Sequence, residues 1–205
     1  MAAQLPRPPG LKPAPRSAGR RDRLLDQIVE HLVAVGIAEL SLRPLAQALG
    51  TSTYSLSYHF GSKDGLVHAA VVELESRQLV SVDAALRGAP AGGLEEVLVA
   101  IWGAIVANLP TERVLLELAM SRSSELPDAL RARLSGAWVA AIGAMFEARG
   151  MPRASALVEA TILNALFVGL EVDLMNTGDH ARAVAAVRAY GARTHRDWVS
   201  RAKAG

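Results

Sequence analysis

Residues 41–66 read SLRPLAQALGTSTYSLSYHFGSKDGL, and how this stretch is parsed decides the fold. Ser41 is placed to cap a helix whose first turn holds Pro44, where a missing N–H costs little. Leu42, Leu45, Ala46 and Leu49 give that helix one apolar face before Gly50 ends it. Thr51 or Ser52 caps a second short helix, anchored by Leu56 and Phe60 four residues apart and stopped by Gly61. Ser62 then caps a third, with Asp64 in the first turn, where the helix dipole favours an acid. Two helices this short cannot bury their own apolar faces. They need a helix beneath them, and the arrangement leaves the second one turned outward.

The supporting helix lies just upstream. Leu24, Leu25, Ile28, Leu32 and Val35 fall on one helical stripe from Arg21 onward, and Gly36 stops it. Before it, residues 1–18 carry Pro6, Pro8, Pro9, Pro13 and Pro15 and predict a disordered, polyproline-like tail. Its charges are Arg7, Lys12 and Arg16, so it is either a basic arm for a minor groove or a solvated tail with no role. Downstream, the helical pattern runs on from Leu66 to Leu86, long enough to join two domains, and breaks at 88–93. Further helices are predicted over 94–109, 112–123, 128–149, 153–176 and 179–202. Pro110, Pro127 and Pro152 stand near helix starts, and Asp179 caps the last helix. Strand alternation and sequence repeats are absent, so the predicted class is all-α. The division is a tail over 1–18, a three-helix domain over 19–65 and a larger helical domain over 66–205.

Composition narrows the function classes. The chain has 205 residues, half of them hydrophobic, which is ample for a core. No uninterrupted apolar run reaches the roughly 18 residues of a membrane span, and the Pro-rich start lacks a signal-peptide core, so no membrane partner is expected. The absence of cysteine removes disulfides and thiol chemistry, and fits a reducing cytoplasm. Net charge is only +2, but up to Gly65 eight Lys/Arg face five Asp/Glu, against fourteen and fifteen in the remainder. A weakly basic front on a neutral body fits a nucleic-acid head on a body that binds something else. Motifs for serine hydrolysis, P-loop or dinucleotide binding and zinc proteolysis are missing. The five histidines are scattered, none paired at helical metal-ligand spacing; Glu73 and Glu75 near His68 read as an ordinary charged face. Neither an enzyme nor a cofactor or metal is expected.

The second short helix carries the functional expectation. Ser52, Thr53, Tyr54, Ser55 and Ser57 extend the polar run begun at Thr51, and Thr53, Tyr54 and Ser57 project opposite Leu56 and Phe60. A recognition helix needs such an exposed N-terminal half to reach base edges. Tyr58, His59 and Lys63 are placed for phosphates, and Arg43 for a phosphate or a base edge. The structural alternative is a three-helix scaffold that does not bind DNA.

The first-helix ending Val35-Gly36, the S-L-R-x-L-A-x-x-L-G segment, Leu56, the Tyr58-His59-Phe60 cluster and Gly61-Ser62-Lys63-Asp64-Gly65-Leu66 together resemble the DNA-binding domain of TetR-family transcriptional regulators. The resemblance covers residues 21–72. It implies a homodimer on a double-stranded DNA operator and a variable ligand-binding core. Two departures stand out: Ser57 where the family commonly has tyrosine, and Tyr54 where a small residue is usual. No Arg or Lys lies between Arg43 and Lys63, so direct readout rests on hydroxyls and thymine-methyl contacts.

In the larger domain, large side chains with a polar handle and lone acids are the candidates to line a pocket for a small apolar or amphipathic effector. They are Trp102, Glu117, Met120, Trp138, Met145, Asn164, Phe167 and Glu171. The plainer reading is core packing for the apolar members and a salt bridge or solvated turn for the two glutamates. Ile162, Ala165, Leu166, Gly169, Val172 and Asp173 form a stripe that permits close helix approach. Ala181, Val184, Ala185, Arg188, Ala192 and His195 form another. Together the two predict a two-fold, four-helix dimer interface, with packing inside one chain as the alternative. Two functions follow: a ligand-responsive repressor, or a DNA-binding regulator or activator that answers to no small molecule.

Overall fold

The computed structural model describes residues 18–37, 40–88, 93–120 and 128–204. The Pro-rich tail, apart from Ala18, lies outside them, as do 89–92 of the predicted break and 121–123 of a predicted helix. The described residues form nine α-helices and no strand: α1 Ala18–Val35, α2 Leu42–Ala48, α3 Thr53–Phe60, α4 Lys63–Gly88, α5 Leu94–Ala107, α6 Leu109–Met120, α7 Asp128–Glu147, α8 Arg153–Thr177 and α9 His180–Ala204. They divide into two compact units. One runs up to Arg77 and also takes Pro110–Leu134; the other takes Gln78–Leu109 and the chain from Ser135 on. The α4 helix therefore contributes to both.

The first unit is built on α1. Leu24, Ile28, Val29 and Leu32 are buried at helical spacing and meet Leu45 and Ala46 of α2, Leu56 and Phe60 of α3, and Leu66, Val67, Ala70, Val71 and Leu74 of α4. Val35, expected on the inward stripe, is instead exposed, and Val29 takes its place in the core. The guanidinium of Arg77 ties α4 to α1, pairing with Asp26 and with Glu73 at 2.8 Å.

This unit also includes α6, whose Val114, Leu115 and Leu118 are buried in the same cluster. Polar contacts fix α6 on the end of α1. Arg113 Nη2 donates to the Val33 carbonyl at 3.2 Å, and Glu117 Oε2 accepts from the Ile37 N–H at 3.1 Å. Gly36 makes the turn between the Val33 carbonyl and the Ile37 N–H with φ +84°, and a Cβ there would stand 3.0 Å from the Glu117 carboxylate.

The second unit packs α5, α7, α8 and α9 with the end of α4. Leu98, Ile101, Trp102, Phe146, Leu163, Phe167, Ala183 and Val187 form its centre. The Tyr190 hydroxyl on α9 donates to Glu159 on α8, 2.8 Å from the carboxylate and 3.1 Å from the backbone carbonyl. Burial, and then the bond to Glu159, pushes this phenol well above its ordinary range. Asp173 of α8 and Asp179 both face Arg182 at the α8–α9 turn. By length and mean hydropathy, α8 is apolar enough to cross a membrane. The excess comes from a second face: opposite its buried Leu163 and Phe167, it exposes Val158, Ile162 and Val172.

Candidate nucleic-acid interface

The outward helix is α3, and its position follows from local chemistry at both ends. Ser52 stands at the N-cap in extended conformation, its Oγ accepting from the Ser55 N–H at 3.1 Å. Gly61 closes the helix at φ +78°, its N–H bonded to the Ser57 carbonyl at 2.8 Å. Ser62 then caps α4 by accepting from the Gly65 N–H at 3.1 Å. At Gly65 a Cβ would lie 2.1 Å from the Phe60 carbonyl oxygen, so only glycine lets the start of α4 approach the end of α3 this closely. Ser41 occupies the N-cap of α2 as expected, but its hydroxyl makes no capping bond.

Leu56 and Phe60 face inward, fully and nearly fully buried. The guanidinium of Arg21 lies over the Phe60 ring at 5.2 Å, a contact that the helical stripe of α1 gave no hint of. On the other side Ser52, Thr53, Tyr54, Ser57 and Tyr58 are exposed, while Ser55 and His59 are half-buried. Three aromatic rings line up along α3. Tyr54 and Tyr58 stack with centroids 6.4 Å apart and planes 25° apart, and Tyr58 meets His59 edge-on at 5.1 Å. Arg43 is exposed in the first turn of α2, and Lys63 opens α4 half-buried. The DNA-binding candidates thus lie on α3, at its N-cap, and in the first turns of α2 and α4.

The pocket candidates separate. Trp102 and Phe167 are both buried, with ring centroids 5.7 Å apart, and Met145 and Glu171 are buried in the same unit. Trp138 is half-buried and donates from Nε1 to Gln78 Oε1 at 2.6 Å; Asn164 is half-buried on α8. The Trp102 Nε1–H is enclosed and has no hydrogen-bond partner among the described residues. Glu117 and Met120 belong to the other unit. Glu117 serves the α1–α6 contact, its carboxylate 3.7 Å from Arg113 Nε, and Met120 is exposed at the end of α6. An acid on an apolar helix satisfies a backbone N–H here, a role that residue type and spacing do not distinguish from ligand binding.

The interface candidates also divide. Ile162, Ala165, Gly169 and Val172 lie on the exposed face of α8, which Leu157, Val158 and Met175 extend. Leu166 and Val184 are half-buried against the unit's own core. Arg188 is exposed and pairs with Glu95 of α5 at 2.8 Å.

Residues 24–70 match the family model described as bacterial regulatory proteins, tetR family. The HTH-type transcriptional regulator BetI of Escherichia coli is 32% identical over 84 residues, 41% of this chain and 43% of BetI. The chain thus matches less than half the length of this curated relative. Among solved structures, a TetR transcriptional regulator from Legionella pneumophila superposes with a TM-score of 0.67 at 17% identity, covering 90% of this chain and 99% of that one. A structure of the multidrug binding protein EbrR complexed with imidazole gives 0.59 at 23% identity, over 84% and 89%. At these identities the structural likeness speaks for the fold.

Proposed function

We infer that this chain, which belongs through residues 24–70 to the tetR family of bacterial regulatory proteins, is a sequence-specific DNA-binding transcriptional regulator working in the cytoplasm. The observation that carries the reading is the geometry of α3. It is a capped helix pinned by Leu56 and Phe60 whose outer face holds hydroxyls and stacked tyrosines and no buried duty. Such a face suits base edges in a major groove, with Arg43, Tyr58, His59 and Lys63 disposed for flanking phosphates.

In this reading the chain is a homodimer. Two copies pair through the apolar face of α8 around Ile162 and Val172, setting two α3 helices about 34 Å apart on a palindromic operator. A small apolar or amphipathic effector enters the second unit beside Trp102 and Phe167. The Trp102 N–H suits it to carry an oxygen or nitrogen acceptor, since an enclosed donor left unpaired costs about 1–3 kcal/mol. The effector releases DNA by favouring a state in which the two α3 helices lose register with successive grooves. That EbrR is a multidrug binding protein of like fold supports a ligand-responsive rather than a ligandless regulator.

The test is a gel shift on the DNA flanking the protein's own coding sequence, at several salt concentrations. The expected result is a preferred duplex, with a log–log salt slope between about −2 and −4. That range is set by Arg43, with or without Lys63, on each of two protomers. Indifference to DNA sequence would sink the reading. Tryptophan fluorescence and melting temperature against a panel of hydrophobic compounds test the effector; uniformly null shifts would favour the regulator that answers to no small molecule.

A further inference from the structure

The α3 helix, TYSLSYHF, holds none of the side chains that pair bidentately with a base, and its one imidazole, His59, sits half-buried in the last turn, away from the N-terminal part. The helix has no Arg or Lys for guanine, no Asn or Gln for adenine and no Asp or Glu for cytosine. Two chemistries remain on its outer face: single hydroxyl bonds, which discriminate weakly, and apolar contact, which in the major groove finds one target, the thymine 5-methyl group. Tyr54 is the most exposed large apolar-bodied side chain among the described residues, 78% accessible, and Tyr58 beside it is 71%. An aromatic pair of this size left in water is a cost unless something covers it.

The pair is also held in place. Tyr54 stacks on Tyr58 at i, i+4 spacing, and His59 buttresses Tyr58 edge-on. A ring ordered before binding loses little rotamer freedom when it docks. Tyr54 is the second residue of α3, in the N-terminal part that reaches base edges, whereas Tyr58 lies a turn further back, toward the sugar–phosphate wall.

We propose that Tyr54 is the specificity-determining residue of α3 and reads thymine methyl groups, with Tyr58 as the backing that fixes its ring. The proposal rests on α3 being the DNA-reading helix and goes further, naming the base chemistry that is read and the residue that reads it. The operator half-site must then hold thymine opposite the start of α3. What is recognised is the methyl group, so 5-methylcytosine at that position keeps the contact and deoxyuridine loses it.

The experiment uses the full chain. Sites are enriched from a random duplex library, and the selected duplex is remade with each thymine in turn replaced by deoxyuridine. Burying one methyl-sized group is worth about fourfold in affinity. At one thymine of each half-site, wild type therefore weakens by about fourfold per half-site, or about fifteenfold with both replaced. 5-Methylcytosine at that position restores more affinity than cytosine does. Tyr54→Phe keeps the deoxyuridine penalty, and Tyr54→Ala binds the thymine and deoxyuridine duplexes equally. With its side chain in solvent, Tyr54→Ala is expected to keep the wild-type melting temperature. If selected sites tolerate deoxyuridine at every position, or Tyr54→Ala retains the penalty, the thymine-reading assignment is overturned while sequence-specific binding stands. If no sequence is enriched at all, both fall.

Discussion

Replacing Glu117 with alanine removes the one carboxylate that accepts from the Ile37 N–H, 3.1 Å away, and the partner of Arg113 at 3.7 Å. A hydrogen bond to a charged acceptor contributes about 1.5–3 kcal/mol when enclosed. The Glu117 side chain is 37% accessible and that of Arg113 43%, so solvent screening brings the bond toward about 1 kcal/mol and the ion pair to at most about 0.5. Glu117→Ala is therefore expected to loosen the α1–α6 contact by about 1–1.5 kcal/mol. Glu117→Gln, which keeps an acceptor oxygen, is expected to cost less than half of that. Amide hydrogen exchange is the suitable assay, because it reads the free energy of local opening at a named N–H even when the two units do not unfold together. Ile37 is expected to lose protection in Glu117→Ala and to keep most of it in Glu117→Gln. Unchanged Ile37 exchange in the alanine variant would refute the claim that α6 clasps the end of the first helix.

Gly65→Ala places a methyl 2.1 Å from the Phe60 carbonyl, so α3 or α4 must shift; a loss of about 2–3 kcal/mol and of specific DNA binding is expected in denaturation and gel-shift measurements. Tyr190 faces Glu159 and Arg193, and its phenol pKa is raised on folding, so its contribution is complete below about pH 10 and falls away as pH rises further. Melting temperature should decline above that pH in wild type, and the decline should be smaller in Tyr190→Phe. Ile162→Glu with Val172→Glu puts charges on the exposed face of α8; sedimentation should find monomers with helical content intact, and an unchanged dimer would move the interface elsewhere.

Much of the fold was legible because local chemistry and global packing agree in it. Ser52, Ser62 and Asp179 were readable as caps because each precedes an apolar-periodic run, and each accepts the expected N–H. Leu56 and Phe60 were readable as anchors from their spacing. Less visible was what depends on distant partners. Nothing near Glu117 in the chain shows that it meets Ile37, 80 residues earlier, so its lone charge on an apolar helix resembled a ligand contact. Val35 fits the stripe of α1 by type, but as the helix's last residue it lies beyond the packed part of α1 and is exposed. By helical spacing alone the two apolar faces of α8 merge into one stripe. Burial separates Leu166, which packs on its own core, from Ile162 and Val172, which remain exposed. On α3, sequence named the residues, while the stacking of Tyr54 on Tyr58 required coordinates.

The central claim is that the outer face of α3 reads base sequence, and a comparison of specific with non-specific affinity tests it most directly. Wild type and the double variant Tyr54→Ala/Ser57→Ala are titrated against the selected duplex and a scrambled one of equal length, at one salt concentration. The account predicts at least a tenfold loss on the selected duplex and less than a twofold change on the scrambled one, since phosphate contacts carry the latter. Equal losses on both duplexes would contradict it.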